Sequence, residues 1–156
     1  MPDIKDIWLY AQNIIRSSRK MVNEGLNPLG LSSAEGNILM HLFTQTYDVR
    51  QEDIVEQLDI SKPAVSRALE SLERKGYVTR ERDFLDRRAS RVLLTATARD
   101  IKPQVEEVYN KVYSLAAQGI SEEEIRLFKD LFRRVSANFS RAKHKEISTG
   151  GWNNNE

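Results

Sequence analysis

Residues 61–76, SKPAVSRALESLERKG, constrain this chain more than any other stretch, because they mark both ends of one helix. Ser61 suits the N-cap and Pro63 is tolerated in the first turn. Arg74 and Lys75 suit the last turn, and Gly76 can adopt the left-handed conformation that stops a helix. Val65, Ala68, Leu69 and Leu72 fall at i, i+3, i+4 and i+7 and make a single apolar stripe. The first turns run against the usual electrostatics. The positive end of a helix favours Asp or Glu, yet Lys62 and Arg67 stand there, with no acid in the helix before Glu70. An anion supplied from outside would resolve the conflict; a plain solvated face is the competing explanation.

Charge along the chain bears on that choice. The net charge of +1 conceals −1 over residues 1–49, −3 over 50–60, +4 over 61–95 and +1 over 96–156. The positive excess sits on the marked helix and the segment after it, which is an electrostatic footprint suited to nucleic acid. The chain contains no cysteine, so disulfides, thiolate catalysis and cysteine redox sensing are excluded. The first twenty residues are amphipathic and carry acids, unlike a signal peptide or a membrane span, so a cytoplasmic protein is expected.

The remaining elements follow from periodicity. Ile4, Ile7, Trp8, Ala11, Ile14, Ile15, Met21 and Val22 predict a long amphipathic helix over about 3–24. GLNPLG breaks it, and Ser32 with Glu35 fits a capping box for a helix carrying Ile38, Leu39, Leu42 and Phe43. A short helix near 50–58 contains Ile54, Val55 and Leu58, and Asp59 and Ile60 turn the chain into the marked helix. YVTRERD and ASRVLLT then read as two strands separated by FLDRR, a two-stranded hairpin with a basic tip. Thr95 or Thr97 starts a helix to about Gln118, with Ile101, Val105, Val108, Val112 and Leu115 inside and Pro103 marking an early turn or a kink. Ser121 and Glu124 make a second capping box, ahead of a last helix striped by Ile125, Phe128, Phe132, Val135 and Phe139. The Gly- and Asn-rich end is expected to be disordered.

The fold expected is thus mainly α with a small β-hairpin: a helix-turn-helix near 50–75 followed by a wing. In that geometry the second helix enters the DNA major groove by its N-terminus, where phosphates would supply the missing negative charge.

VRQEDIVEQLDISKPAVSRALESLERKGYVTRERDFLDRRASRVLLT resembles the winged helix-turn-helix of the MarR family, the multiple-antibiotic-resistance type of bacterial and archaeal regulators. The wing is the most specific part: a Leu-x-x-x-Gly helix end, a basic strand, Asp-Arg-Arg and Leu-Thr. The order of helices matches from about Ile4 to Phe139. The resemblance implies a homodimer with interlocking N- and C-terminal helices, each protomer presenting one winged helix to a pseudo-palindromic operator. It divides the chain into an N-terminal dimerisation helix (1–30), a DNA-binding domain (31–97), C-terminal dimerisation helices (98–143) and a tail (144–156). Ile4, Ile7, Trp8, Ala11, Phe128, Phe132, Val135 and Phe139 are the dimerisation candidates. Two departures are Asp59 where the family often has Gly in the turn, and Ala98 where Gly commonly follows Leu-Thr; neither removes a contact group.

On the recognition helix, Ser61, Lys62, Pro63, Ala64, Ser66 and Arg67 are candidates for phosphate and base contacts. Ser61 can cap the helix at the same time, and Arg67 can bond bidentately to guanine. Glu70 and Glu73 are expected to pair with Arg67, Arg74 or Lys75 at helical spacing. On the wing, Arg80, Arg82, Asp86, Arg87, Arg88 and Arg91 are candidates. By resemblance Arg88 enters the minor groove, with Asp86 holding its side chain through an ion pair. Arg80, Arg82 and Arg91 would neutralise phosphates, and cross-strand pairing with Glu81 or Asp83 accounts for some of them equally well. Family members commonly bind small aromatic or phenolic acids beside the dimerisation helices. Trp8, Gln12, His41, Tyr109 and Tyr113 could line such a cleft, although packing explains each of them too.

No cofactor is implied. His41 and His144 are the only histidines and have no His-x-x-x-His spacing, so neither a metal site nor an enzyme is expected. The function these features imply is a homodimeric, effector-responsive DNA-binding regulator, most simply a repressor. The alternative is a winged helix used as a protein-interaction module, which would need apolar or mixed-charge residues exposed on the second helix.

Overall fold

A computed structural model describes residues 4–82, 84–86 and 88–149, with backbone alone for 143–149. Two compact units, Met1–Tyr113 and Ser114–Glu156, divide the chain. The first contains α1 (Lys5–Leu26), a 3-10 turn (Asn27–Leu29), α2 (Ser33–Thr44), β1 (Val49–Arg50), α3 (Gln51–Leu58), α4 (Lys62–Arg74), β2 (Val78–Arg82), β3 (Ser90–Leu94) and most of α5 (Ala96–Ala116).

The expected helix ends are present. Ser32 Oγ accepts from the Glu35 backbone N–H at 3.2 Å, and Glu35 Oε2 accepts from the Ser32 N–H at 2.8 Å, closing the capping box. Asp59 ends α3 at φ 49°, ψ 43°, paying the cost of left-handed geometry that a glycine there would avoid. Ser61 Oγ caps α4 by accepting from the Ala64 N–H at 3.3 Å, and Gly76 takes φ 78° beyond its last turn. Thr95, of the two threonines considered, caps α5 by accepting from the Ala98 N–H. The helix runs unbroken through Pro103.

The apolar stripe of α4 is buried in full: Val65, Ala68, Leu69 and Leu72 pack with Ile38, Leu39 and Leu42 of α2, Ile54 of α3, and Val78 and Val92 of the sheet. Removing a side chain such as Leu69 or Leu72 from water contributes about 1.5–3 kcal/mol. This core holds α4 by one face and leaves the other to solvent.

The sheet differs from the expected two strands. Its order is β1-β3-β2, all antiparallel, with Val49 opposite Val92 and Val78 opposite Leu94. The two residues of β1 lie directly before α3, so the wing is hydrogen-bonded to the start of the helix-turn-helix. The helix α1 has two ends of different character. Val22 and Leu26 are buried, but Ile4, Ile7, Trp8, Ile14 and Ile15 are exposed, as are Leu9 and Tyr10.

The second unit contains the end of α5 and the long helix α6 (Glu122–Thr149). Leu115, expected inside α5, is exposed. Ser121 and Glu124 form the second capping box, with Glu124 Oε2 accepting from the Ser121 N–H at 2.8 Å. None of the residues 122–142 is buried, and Phe128 and Phe132 meet only at 4.5 Å between ring centroids. The backbone stays helical to Thr149, past the residue where the tail was expected to begin; residues 150–156 and Arg87 lie outside the described residues.

Candidate nucleic-acid interface

The first turns of α4 present Ser61, Lys62, Pro63 and Arg67 to solvent, with Ala64 and Ser66 half-buried beneath them. No acid occupies the first turn of α4, whereas α3 and α6 both carry acids there. Lys62 shares a hollow of about 470 Å3 with Arg88 and Ser90 of the wing and with Gln51, Glu52, Val55 and Glu56 of α3. The start of α4 and the end of the wing turn therefore face one concavity.

Ion pairing sorts the cations of this region into two groups. Arg80 is bound by Glu73 through Nε at 3.2 Å and a terminal nitrogen at 2.8 Å, a fork that ties β2 to α4. Its partner is thus Glu73 and not Glu81, Asp83 lies outside the described residues, and among those residues Glu73 makes no ion pair with the helical neighbours expected for it. The Arg80 hydrogen bond is the main reason that the exposed Glu73 carboxyl sits below its ordinary value. Arg91 is bound by Asp48 and, across the strands, by Glu81 at 3.4 Å. Among the described residues Lys62, Arg67, Arg82 and Arg88 enter no ion pair and are exposed. Of the wing cations expected to meet phosphate, Arg80 and Arg91 are spent on the fold, whereas Arg82 and Arg88 are available.

Asp86 also works differently from the expectation. Its carboxylate accepts from the backbone N–H of Arg88 at 3.0 Å, in place of an ion pair with the guanidinium, and its carbonyl accepts from the Ala89 N–H at 3.0 Å. It shapes the turn and leaves the Arg88 side chain unengaged.

Lys75 at the end of α4 makes a contact that no local pattern announces. Its ammonium donates to both carboxylate oxygens of Glu35 at 2.9 Å and to the Gly30 carbonyl at 2.6 Å. The Glu35 side chain is only 5% exposed and is already the acid of the α2 capping box. Burial pushes its carboxyl up. Hydrogen bonds from Ser71, the Ser32 backbone and Lys75, with the Lys75 charge, outweigh that and hold it below its ordinary value of 4.5. This pair locks α4 to α2. A depressed folded-state value means the pair stabilises the fold above pH 4.5, and the stabilisation is lost as the pH falls through the folded-state value. Glu35→Gln should therefore cost about 2 kcal/mol at neutral pH, with the difference from wild type shrinking on acidification. Urea unfolding at several pH values would check this, and a deficit independent of pH would contradict it.

The residues considered for an effector cleft are only partly brought together. Tyr109 and Tyr113 stand 6.1 Å apart between ring centroids and line a hollow of about 220 Å3 with Ile15, Ser18, Arg19, Val22, Ser33, Asn37 and Val112. Tyr109 donates to Asn37 Oδ1 at 2.7 Å, and burial raises its phenol far above the ordinary range. Trp8, Gln12 and His41 do not line this hollow. Gln12 lies by a separate groove along α1, and His41 Nε2 is buried without a hydrogen-bond partner. Arg19 and Asn37 escaped the sequence reading because a polar residue on an amphipathic helix gives no sign that it borders a cavity.

A helix-turn-helix whose second helix is followed by a sheet-borne hairpin defines the class, a winged helix-turn-helix protein. The sequence model of the MarR family matches residues 29–89, which hold the helix-turn-helix and most of the wing. The transcriptional regulator PA3341 is 30% identical over 85% of this chain and 96% of its own, with a TM-score of 0.76. A MarR transcriptional regulator from Methanosarcina mazei Go1 is 24% identical, covers 88% of this chain and 99% of its own, and has a TM-score of 0.78. A mutant MarR from E. coli, solved in complex with operator DNA, shares the fold at 20% identity, with a TM-score of 0.73 over 85% of this chain and 95% of its own. The chain belongs to the MarR family of transcriptional regulators. None of its described helices is long and apolar enough to cross a membrane.

Proposed function

We propose that the protein is a homodimeric, sequence-specific DNA-binding repressor of the cytoplasm. Residues 61–75 lie in the major groove and the wing 77–95 in the adjacent minor groove, and a small aromatic acid releases the complex. The observation that carries DNA binding is the set of unpaired cations: Lys62, Arg67, Arg82 and Arg88 are exposed while their neighbours Arg80 and Arg91 are neutralised. Neutralising phosphates releases condensed counterions, which drives binding, and Arg67 has the geometry to read guanine. The first turns of α4 expose Lys62 and Arg67 and no acid, which disfavours a protein-interaction module.

Dimerisation is supported by the exposed apolar side chains of α1 and of α6. Ile4, Ile7 and Trp8 on α1, and Phe128, Phe132 and Phe139 on α6, are exposed, with Ala11 and Val135 half-buried among them. Large apolar side chains exposed along one helix mark an interaction site. Release is supported by the hollow beside Tyr109 and Tyr113. Its size suits one aromatic ring, Arg19 can meet a carboxylate, and Asn37 and Tyr109 can meet a hydroxyl. Occupancy would favour a dimer whose recognition helices no longer match one turn of DNA.

Two measurements test this reading. Light scattering should give twice the 18.0 kDa chain mass. Selection from random duplexes should enrich an inverted repeat whose half-sites lie about 34–36 Å apart. A monomer, or a pool without enrichment, would contradict it. Added hydroxybenzoate should weaken the selected complex in wild type but not in Tyr113→Ala.

A further inference from the structure

The tip of the wing carries a feature that phosphate neutralisation does not use. Phe84 is 95% exposed and Leu85 90%, whereas the next most exposed large apolar residue described, Tyr10, stands at 63%. Phe84 belongs neither to the core nor to the apolar residues packed against it. The hairpin packs through Val78, Ala89 and Val92, all buried, and the turn at 86–89 is closed by Asp86. Phe84 and Leu85 lie just beyond the end of β2, flanked by the exposed cations Arg82 and Arg88.

We propose that Phe84 is an apolar wedge that enters the minor groove and partly unstacks one base step, which would make it a determinant of sequence preference. This rests on the DNA-binding reading above. A bare aromatic ring between unpaired guanidinium groups needs a partner that is polyanionic outside and apolar within. A base step between two phosphate strands has that character, whereas an apolar groove on a protein lacks the charge. The wedge also sits on the same hairpin as Arg88, which shares a hollow with Lys62 of the recognition helix, so it is continuous with the proposed interface. Apolar side chains in a minor groove unstack steps at a cost that is lowest at flexible pyrimidine–purine steps. Discrimination for TA or CA steps would therefore arise where no hydrogen bond reads a base.

The test uses the full-length protein and duplexes that it enriches from a random pool, with 2-aminopurine placed in turn at the adenines flanking each half-site. Wild type should raise 2-aminopurine fluorescence at one step per half-site and bend the duplex. Phe84→Ala should abolish both signals, weaken binding about tenfold, and relax the preference for a pyrimidine–purine step there. Its melting temperature should stay unchanged, since the side chain is outside the core. Phe84→Leu should restore part of the fluorescence signal, because an apolar wedge does not need an aromatic ring. Tight binding by wild type without unstacking, or identical complexes from wild type and Phe84→Ala, overturns the wedge and leaves DNA binding intact. Failure to enrich any duplex overturns both. A lower assembly mass in Phe84→Ala with unaltered DNA complexes would assign the tip to self-association and also overturn the wedge.

Discussion

Arg88→Ala is expected to weaken operator binding about 100-fold, because each dimer loses two contacts worth about 1.4 kcal/mol apiece. The slope of log K against log salt should fall in magnitude by up to about 2, one phosphate-neutralising cation from each protomer. The folded state should be indifferent, since Arg88 is exposed and its guanidinium enters no ion pair. Arg80→Ala provides the contrast. Its guanidinium is committed to Glu73, so the main expected effect is a stability loss of about 0.5–1 kcal/mol, with DNA affinity changed far less. Fluorescence anisotropy titrations at several salt concentrations, beside urea unfolding of the same proteins, would separate the two. Equal affinity losses for both variants would mean that ion pairing does not decide which wing cations reach DNA.

Gly36→Ala should be the most damaging single methyl group in the chain. Gly36 is buried in α2, and a Cβ there would stand 2.3 Å from Leu26 Cδ1 and 2.7 Å from the Tyr109 hydroxyl. Leu26 is fully buried and Tyr109 is hydrogen-bonded to Asn37, so neither can swing aside. The backbone of α1 or α5 must move instead. Alanine gains about 1 kcal/mol in helix propensity over glycine, whereas overpacking on this scale costs about 3–4 kcal/mol when backbones shift. The net loss of about 2–3 kcal/mol should lower the melting temperature by about 10 °C. Calorimetry checks this directly. A melting temperature at or above that of wild type would show that the junction of α1, α2 and α5 is looser than the close approach implies. Any such shift would also deform the hollow beside Tyr109, so effector response should suffer together with stability.

Local signals were legible wherever their cause is local. The boundaries of α4, the Ser32 and Ser121 capping boxes, and left-handed Asp59 and Gly76 all depend on residues within a few positions of one another. The register of apolar positions likewise identified Val65, Ala68, Leu69 and Leu72 as one buried face. Interactions that depend on tertiary placement were not legible. β1 is two residues long, too short for an alternation pattern, and exists because Val49 meets Val92 across 43 positions. Glu35 and Lys75 each had a sufficient local explanation, as capping acid and terminal cation, which hid their pairing across 40 positions. The wing arginines are alike in sequence, and only the placement of Glu73, Asp48 and Glu81 separates the spent from the available. His41 and Trp8 drew notice as chemically versatile side chains, yet the hollow is framed by Arg19, Asn37 and two tyrosines instead.

The proposed function requires that this fold present its unpaired cations to a specific DNA sequence. This is tested most directly by titrating the purified protein against DNA from upstream of its own gene, beside a scrambled duplex of equal length, across a series of salt concentrations. The upstream duplex should form a tight complex that outcompetes the scrambled one, with log K falling by about 0.9 per phosphate neutralised for each unit of log salt. Weak binding, identical for the two duplexes and flat against salt, would contradict it.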